Sequence, residues 1–111
     1  MTFEEFWISA IENLRARLVE SGNEIRLENW KADTGPTGEE FQVVGASDDG
    51  IDCMTIYGGK KINLPKEDME VLYGMWDDYV AGEANRMDLI DAIPRPAYCV
   101  AVMKYLKDDA G

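Results

Sequence analysis

Chemistry in this chain has to come from carboxylates, two thiols and aromatic rings, because none of its 111 residues is a histidine. That excludes Ser-His-Asp and Cys-His arrangements, in which an imidazole carries the proton. It also excludes histidine-bearing zinc sites, and two cysteines cannot build a four-thiolate site. Neither GxxxxGK[ST] nor GxGxxG occurs, so no phosphate-cradling loop is indicated. Cys53 and Cys99 lie far apart, outside any CxxC spacing, and read as free, buried thiols. No catalytic residue, metal or cofactor is therefore expected. An enzyme working with Asp, Glu, Tyr or Cys alone would need paired buried carboxylates in a cleft, and the sequence singles out no such pair.

The carboxylates themselves fall into two groups. Asp48, Asp49 and Asp52 surround a turn, where a hard cation could use them, but EF-hand spacing is missing and a solvated hairpin tip is the better reading. The second group is Glu67, Asp68, Glu70, Asp77, Asp78, Glu83, Asp88 and Asp91. The chain has 22 acids against 11 bases, a net charge of −11. Residues 32–63 hold −4 of this and residues 64–91 hold −6, whereas residues 92–111 are +1. Such a field repels phosphates and anionic membranes and attracts basic protein surfaces. Glu67 and Asp68 sit where a helix dipole favours acids. Asp77 and Asp78 come late in the same stretch, where it disfavours them, and are the more suggestive pair. Mimicry of a DNA backbone by these carboxylates is a lesser alternative.

Trp7, Trp30, Tyr73, Trp76, Tyr79 and Tyr98 could line a pocket, and aromatics beside carboxylates suit a cationic or amphipathic small molecule. Trp7 and Trp76 fall on helical apolar stripes and read as core. Trp30, at a strand end, is the first candidate for a ligand or partner contact. Arg95 stands between Pro94 and Pro96, so its backbone is stiff and its guanidinium could anchor a carboxylate. A local ion pair with Asp91 or Asp88 is the preferred account of it.

The elements that must position these residues follow from periodicity. Thr2 and Glu5 fit a capping box, and Phe3, Phe6, Trp7, Ala10, Ile11, Leu14 and Leu18 form one stripe of a helix over about 2–21. Gly22 suits its left-handed cap. Residues 24–31 alternate as a strand, Thr34–Gly38 reads as a breaker loop, and Glu40–Ser47 as a second strand. Asp48-Asp49-Gly50 signals a hairpin in which Gly50 supplies a positive φ. Residues 51–57 pair back, Gly58-Gly59 turns the chain, and residues 61–64 add a short fourth strand. Pro65 suits the first turn of a helix over about 65–81. Asn85 caps a short helix over about 85–92, and Pro96 opens a last helix over about 96–107 that is apolar on nearly every side. Direct nucleic-acid binding is not expected: the short helix offers Asn85 and Arg86 beside Asp88 and Asp91, and the last offers only Lys104 and Lys107.

The expected architecture is a single α+β domain spanning 1–111. An N-terminal helix precedes a three- to four-stranded antiparallel meander, and two or three C-terminal helices pack on one sheet face. Residues 1–10 carry two acids and no base, unlike a signal peptide, and no stretch has the apolar length of a membrane span, so a soluble cytoplasmic protein is expected. The expected function is non-enzymatic binding: an acidic interaction module for a basic protein partner, with self-association into a homodimer as a further expectation. A small-molecule domain with an aromatic pocket is the alternative.

Overall fold

The computed structural model describes residues 2–110, with the side chains of Arg86, Asp109 and Ala110 left aside. Helix α1 (Phe3–Glu20) is followed by strands β1 (Ile25–Lys31), β2 (Gly35–Ser47), β3 (Gly50–Thr55) and β4 (Lys61–Pro65), then helices α2 (Lys66–Ala81), α3 (Arg86–Ala92) and α4 (Pro96–Ala110). The strands form one antiparallel meander in chain order. This is the expected α+β arrangement, with four strands and three helices after the sheet.

Helix α1 starts as its sequence dictates. The Glu5 amide donates to Thr2 Oγ1 at 3.2 Å, and the Thr2 amide donates back to Glu5 Oε1 at 3.3 Å. Its apolar stripe from Phe3 to Leu18 is buried throughout. At the other end Gly22 and also Asn23 take positive φ, and the Asn23 amide closes on the Leu18 carbonyl at 2.7 Å. Asparagine tolerates this conformation better than other residues with a Cβ.

Register places one apolar row across the sheet: Ile25 opposite Val43, Val43 opposite Cys53, Cys53 opposite Ile62. Leu27 faces Phe41, and Ile51 faces Leu64. These residues belong to one core with the helices, while the alternate row Arg26, Gln42, Met54 and Lys61 lies on the other face. Helix α4 lies deepest, with Cys99, Val100, Ala101, Val102, Met103 and Leu106 all buried. Burying each large apolar side chain contributes about 1.5–3 kcal/mol, so this short run is a major source of stability.

Two turns differ from the expectation. The segment Thr34–Gly38 is not a breaker loop: β2 already begins at Gly35, whose φ of 77° lets it pair with Lys31, and Pro36 lies opposite Trp30. The ladder shifts register between Glu28 and Trp30, where a proline without N–H is tolerated. Gly38, at φ 89°, donates its amide to Glu28 Oε2 at 2.8 Å. Between the Glu28–Glu40 and Trp30–Pro36 pairs Asn29 alone faces Thr37, Gly38 and Glu39, so the extra residues lie on β2. Leu27 and Trp30, three apart, both pack against the core.

At the β2–β3 turn Gly50 does not have a positive φ. Its need for glycine is steric, because a Cβ there would sit 2.6 Å from the Leu64 carbonyl oxygen. The turn is anchored on both sides: the Trp7 indole donates to the Asp48 carbonyl at 3.0 Å, and the Lys66 amide to the Asp49 carbonyl at 2.8 Å. Pro65 ends β4 as the N-cap of α2 rather than lying inside its first turn.

Two glycine-to-alanine substitutions should have opposite signs. Gly50→Ala pushes a methyl into backbone and should lose about 1–3 kcal/mol. Gly74 is exposed in the middle of α2, with open space where a methyl would stand, and should gain about 1 kcal/mol as alanine. Urea unfolding midpoints with unchanged slopes would check both.

Candidate functional site

Helix α2 separates the two classes of residue that the sequence offers for binding. At about 100° per residue, Met69, Leu72, Trp76 and Tyr79 fall on one side and are buried. Glu67, Glu70, Asp77 and Asp78 fall on the other and are exposed, with Gly74 between them. Among the described residues, no hydrogen bond or ion pair within the chain engages these four carboxylates. The internal ion pairs lie elsewhere, as in Lys66 with Glu4 and Arg26 with Glu40. Asp77 and Asp78 stand in the last turn and a half of α2, where the helix dipole opposes them, and that last turn holds no basic residue.

The aromatics gather on the opposite side of α2. Trp30 stacks near Trp76, with ring centroids 6.0 Å apart, and meets Tyr79 edge-on at 6.5 Å. From α4, Lys104 places its ammonium over the ring, 5.3 Å from the centroid, and also pairs with Asp108. A second cluster joins Phe3, Phe6, Trp7 and Tyr73. Lys107 lies over it, 4.5 Å from the Tyr73 ring and 5.4 Å from that of Phe6. Each such contact contributes about 0.5–2 kcal/mol. The rings of Trp30, Phe6 and Tyr73 thus each already face one of the chain's own ammonium groups. In the sequence Lys104 and Lys107 read only as weak nucleic-acid contacts, and their spacing of three on the helix of the apolar run is the signal that they share a side.

The four residues singled out from the sequence do not converge. Trp30 is half-buried under Lys104, Asp77 and Asp78 lie on the far side of α2, and Arg95 is exposed at the start of α4. Arg95 makes no ion pair with Asp88 or Asp91 among the described residues. The Asp88 carboxylate instead accepts from the Asn85 amide at 2.9 Å, completing a capping box for α3. The Arg95 carbonyl accepts the Cys99 amide at 3.2 Å and so starts α4. Among the described residues no group of three or more Cys, Asp and Glu side chains could hold a metal ion, and no helix is long and apolar enough to cross a membrane.

One further concavity, a cleft of about 340 Å³, lies between the β1–β2 turn and the C-terminal end of α2, with Tyr79 in its wall. No known protein-family model matches the chain, and no curated protein or solved structure shows significant similarity to it.

Cys53 on β3 and Cys99 on α4 are free and fully buried. Burial pushes both thiols up to about 12, from an ordinary value of 9.0, helped at Cys53 by Cys99 and Asp52 and at Cys99 by Asp68, with Arg95 opposing. Thiolates, not thiols, are the nucleophiles, so neither cysteine is equipped for covalent catalysis. The folded chain keeps both protons up to about pH 12, whereas the unfolded chain loses them near pH 9.0. Their contribution is full below pH 9 and is lost as pH rises toward 12, by about 1.4 kcal/mol per pH unit for each thiol. Unfolding free energy followed from pH 7 to 11 should fall over this range, and less steeply in Cys53→Ala/Cys99→Ala. A thiol reagent at pH 8 should label the native protein only after denaturant is added.

Proposed function

We propose that the protein is a non-enzymatic interaction module whose solvent-facing side of α2 binds a basic protein partner. The observation that carries this reading is the group Glu67, Glu70, Asp77 and Asp78. Four carboxylates share one helix face, none is neutralised within the chain among the described residues, and two of them work against the helix dipole. A surface that opposes local helix stability and is matched by no internal cation is suited to an external one. Lys104 and Lys107 already stand over rings of the two aromatic clusters, which favours a surface partner over a cation held between rings. The cytoplasm is the compartment we assign, since two buried free thiols suit a reducing environment.

A fluorescent oligo-lysine peptide is a sufficient probe. Its affinity should fall at least tenfold between 50 and 200 mM salt, following the counterion logic of charged interfaces. Neutralising the face with Glu67→Gln, Glu70→Gln, Asp77→Asn and Asp78→Asn should remove most of the binding. A control with Glu12→Gln, Glu20→Gln, Glu24→Gln and Glu28→Gln changes net charge equally and should retain it. Equal loss in both variants would mean that net charge alone attracts the peptide, and the assignment to α2 would fail.

A further inference from the structure

The cleft at the end of α2 has a chemistry distinct from the acidic face. Ala32, Val80 and Ala84 give it apolar lining, and its volume falls within the range of small-molecule sites, about 300–1,000 Å³. Lys31 and Asp33 line it from the β1–β2 turn. They carry opposite charges, and neither side chain makes an ion pair or hydrogen bond with another described residue. The backbone between them is tied to the end of α2 by the Ala32 amide, which donates to the Tyr79 hydroxyl.

Tyr79 supplies the most specific feature. It is only 5% exposed and lies in the wall of the cleft. Its hydroxyl accepts the Ala32 amide at 3.1 Å. A hydroxyl also carries a proton to donate, and among the described residues nothing accepts it. The cleft lining therefore includes a hydrogen-bond donor and an ammonium with no described partner, two groups that suit a carboxylate. The opposite requirement is met nearby. The amides of Gly82, Glu83 and Ala84 all turn to the carbonyls of Asp78 and Tyr79. Val80 and Ala81, in the last turn of α2 at the negative end of the helix dipole, line the cleft together with Asp33.

We infer that this cleft binds a small zwitterion of the α-amino-acid type, with an apolar side chain. Its carboxylate lies between Lys31 and the Tyr79 hydroxyl, its ammonium faces Asp33 and the end of α2, and its side chain covers Ala32, Val80 and Ala84. The inference goes beyond the acidic-face reading and does not depend on it.

Three matched probes test it on the full chain: L-phenylalanine, 3-phenylpropionate, which lacks the ammonium, and 2-phenylethylamine, which lacks the carboxylate. Titrations followed by amide chemical shifts should show saturable changes at Ala32, Gly82 and Ala84 with L-phenylalanine, and at least tenfold weaker binding of the other two. Lys31→Gln and Asp33→Asn alter exposed side chains and should each weaken L-phenylalanine at least tenfold, whereas Glu67→Gln/Glu70→Gln should leave it unchanged. Absence of saturable shifts at these amides, a single-ended probe that binds within tenfold of L-phenylalanine, or a smaller loss in either cleft variant would overturn the proposal.

Discussion

Burial of α4 is the constraint on which the rest of the structure depends. A four-stranded meander made of alternating residues has one apolar face to hide, and α4 is apolar on nearly all sides, so each supplies what the other lacks. Once Cys99, Val100, Val102 and Met103 lie against the sheet and its neighbours, fully buried, α1 and α2 can complete the core only through their own stripes. Everything polar on those helices is then forced outward. The acidic face of α2 follows from this packing as much as from its own sequence, because Trp76 and Tyr79 must point in and thereby turn Asp77 and Asp78 away from the core.

The same packing settles how positive charge is used. Lys104 and Lys107 stand near the end of α4, where they suit the helix dipole, and their stems run over aromatic rings toward solvent. They serve as lids over the two aromatic clusters. The positive ends of the C-terminal segment are thereby committed to the protein's own interior rings, while the carboxylates of α2 have no described counterpart. This asymmetry within a chain of net charge −11 is what gives one helix face the character of a recognition surface.

Local irregularities then place the finer features. Where β2 carries its extra residues opposite Asn29, Trp30 meets Trp76 and Tyr79, and Lys31 to Asp33 pass over the end of α2. The turn at Asp48 and Asp49 is held by the Trp7 indole and the Lys66 amide. Its carboxylates flank a structural joint, with backbone carbonyls already committed, which fits a solvated tip better than a cation site.

Much of the fold was legible in the sequence, because periodicity and caps act locally. The stripe of α1 with its Thr2–Glu5 box, the Asn85 cap, the Gly58-Gly59 turn and the all-round apolar α4 each carry their own signal within a few residues. The start of β2 was not legible, since Thr34–Gly38 looks like a turn until Lys31, Trp30 and Glu28 are placed opposite it. Gly50 carries a turn signal in the sequence, but its actual constraint, the carbonyl of Leu64 on the neighbouring strand, exists only in the fold. By itself the sequence determined the absence of histidine chemistry, the acidic excess, the element order and the buried thiols. Only tertiary structure decided that aromatics and carboxylates occupy opposite sides of α2, that lysines stand over the rings of Trp30, Phe6 and Tyr73, and that Lys31, Asp33 and Tyr79 share a cleft. Those are relations between segments distant in the chain, and residue types and spacing encode them only through the packing that brings the segments together.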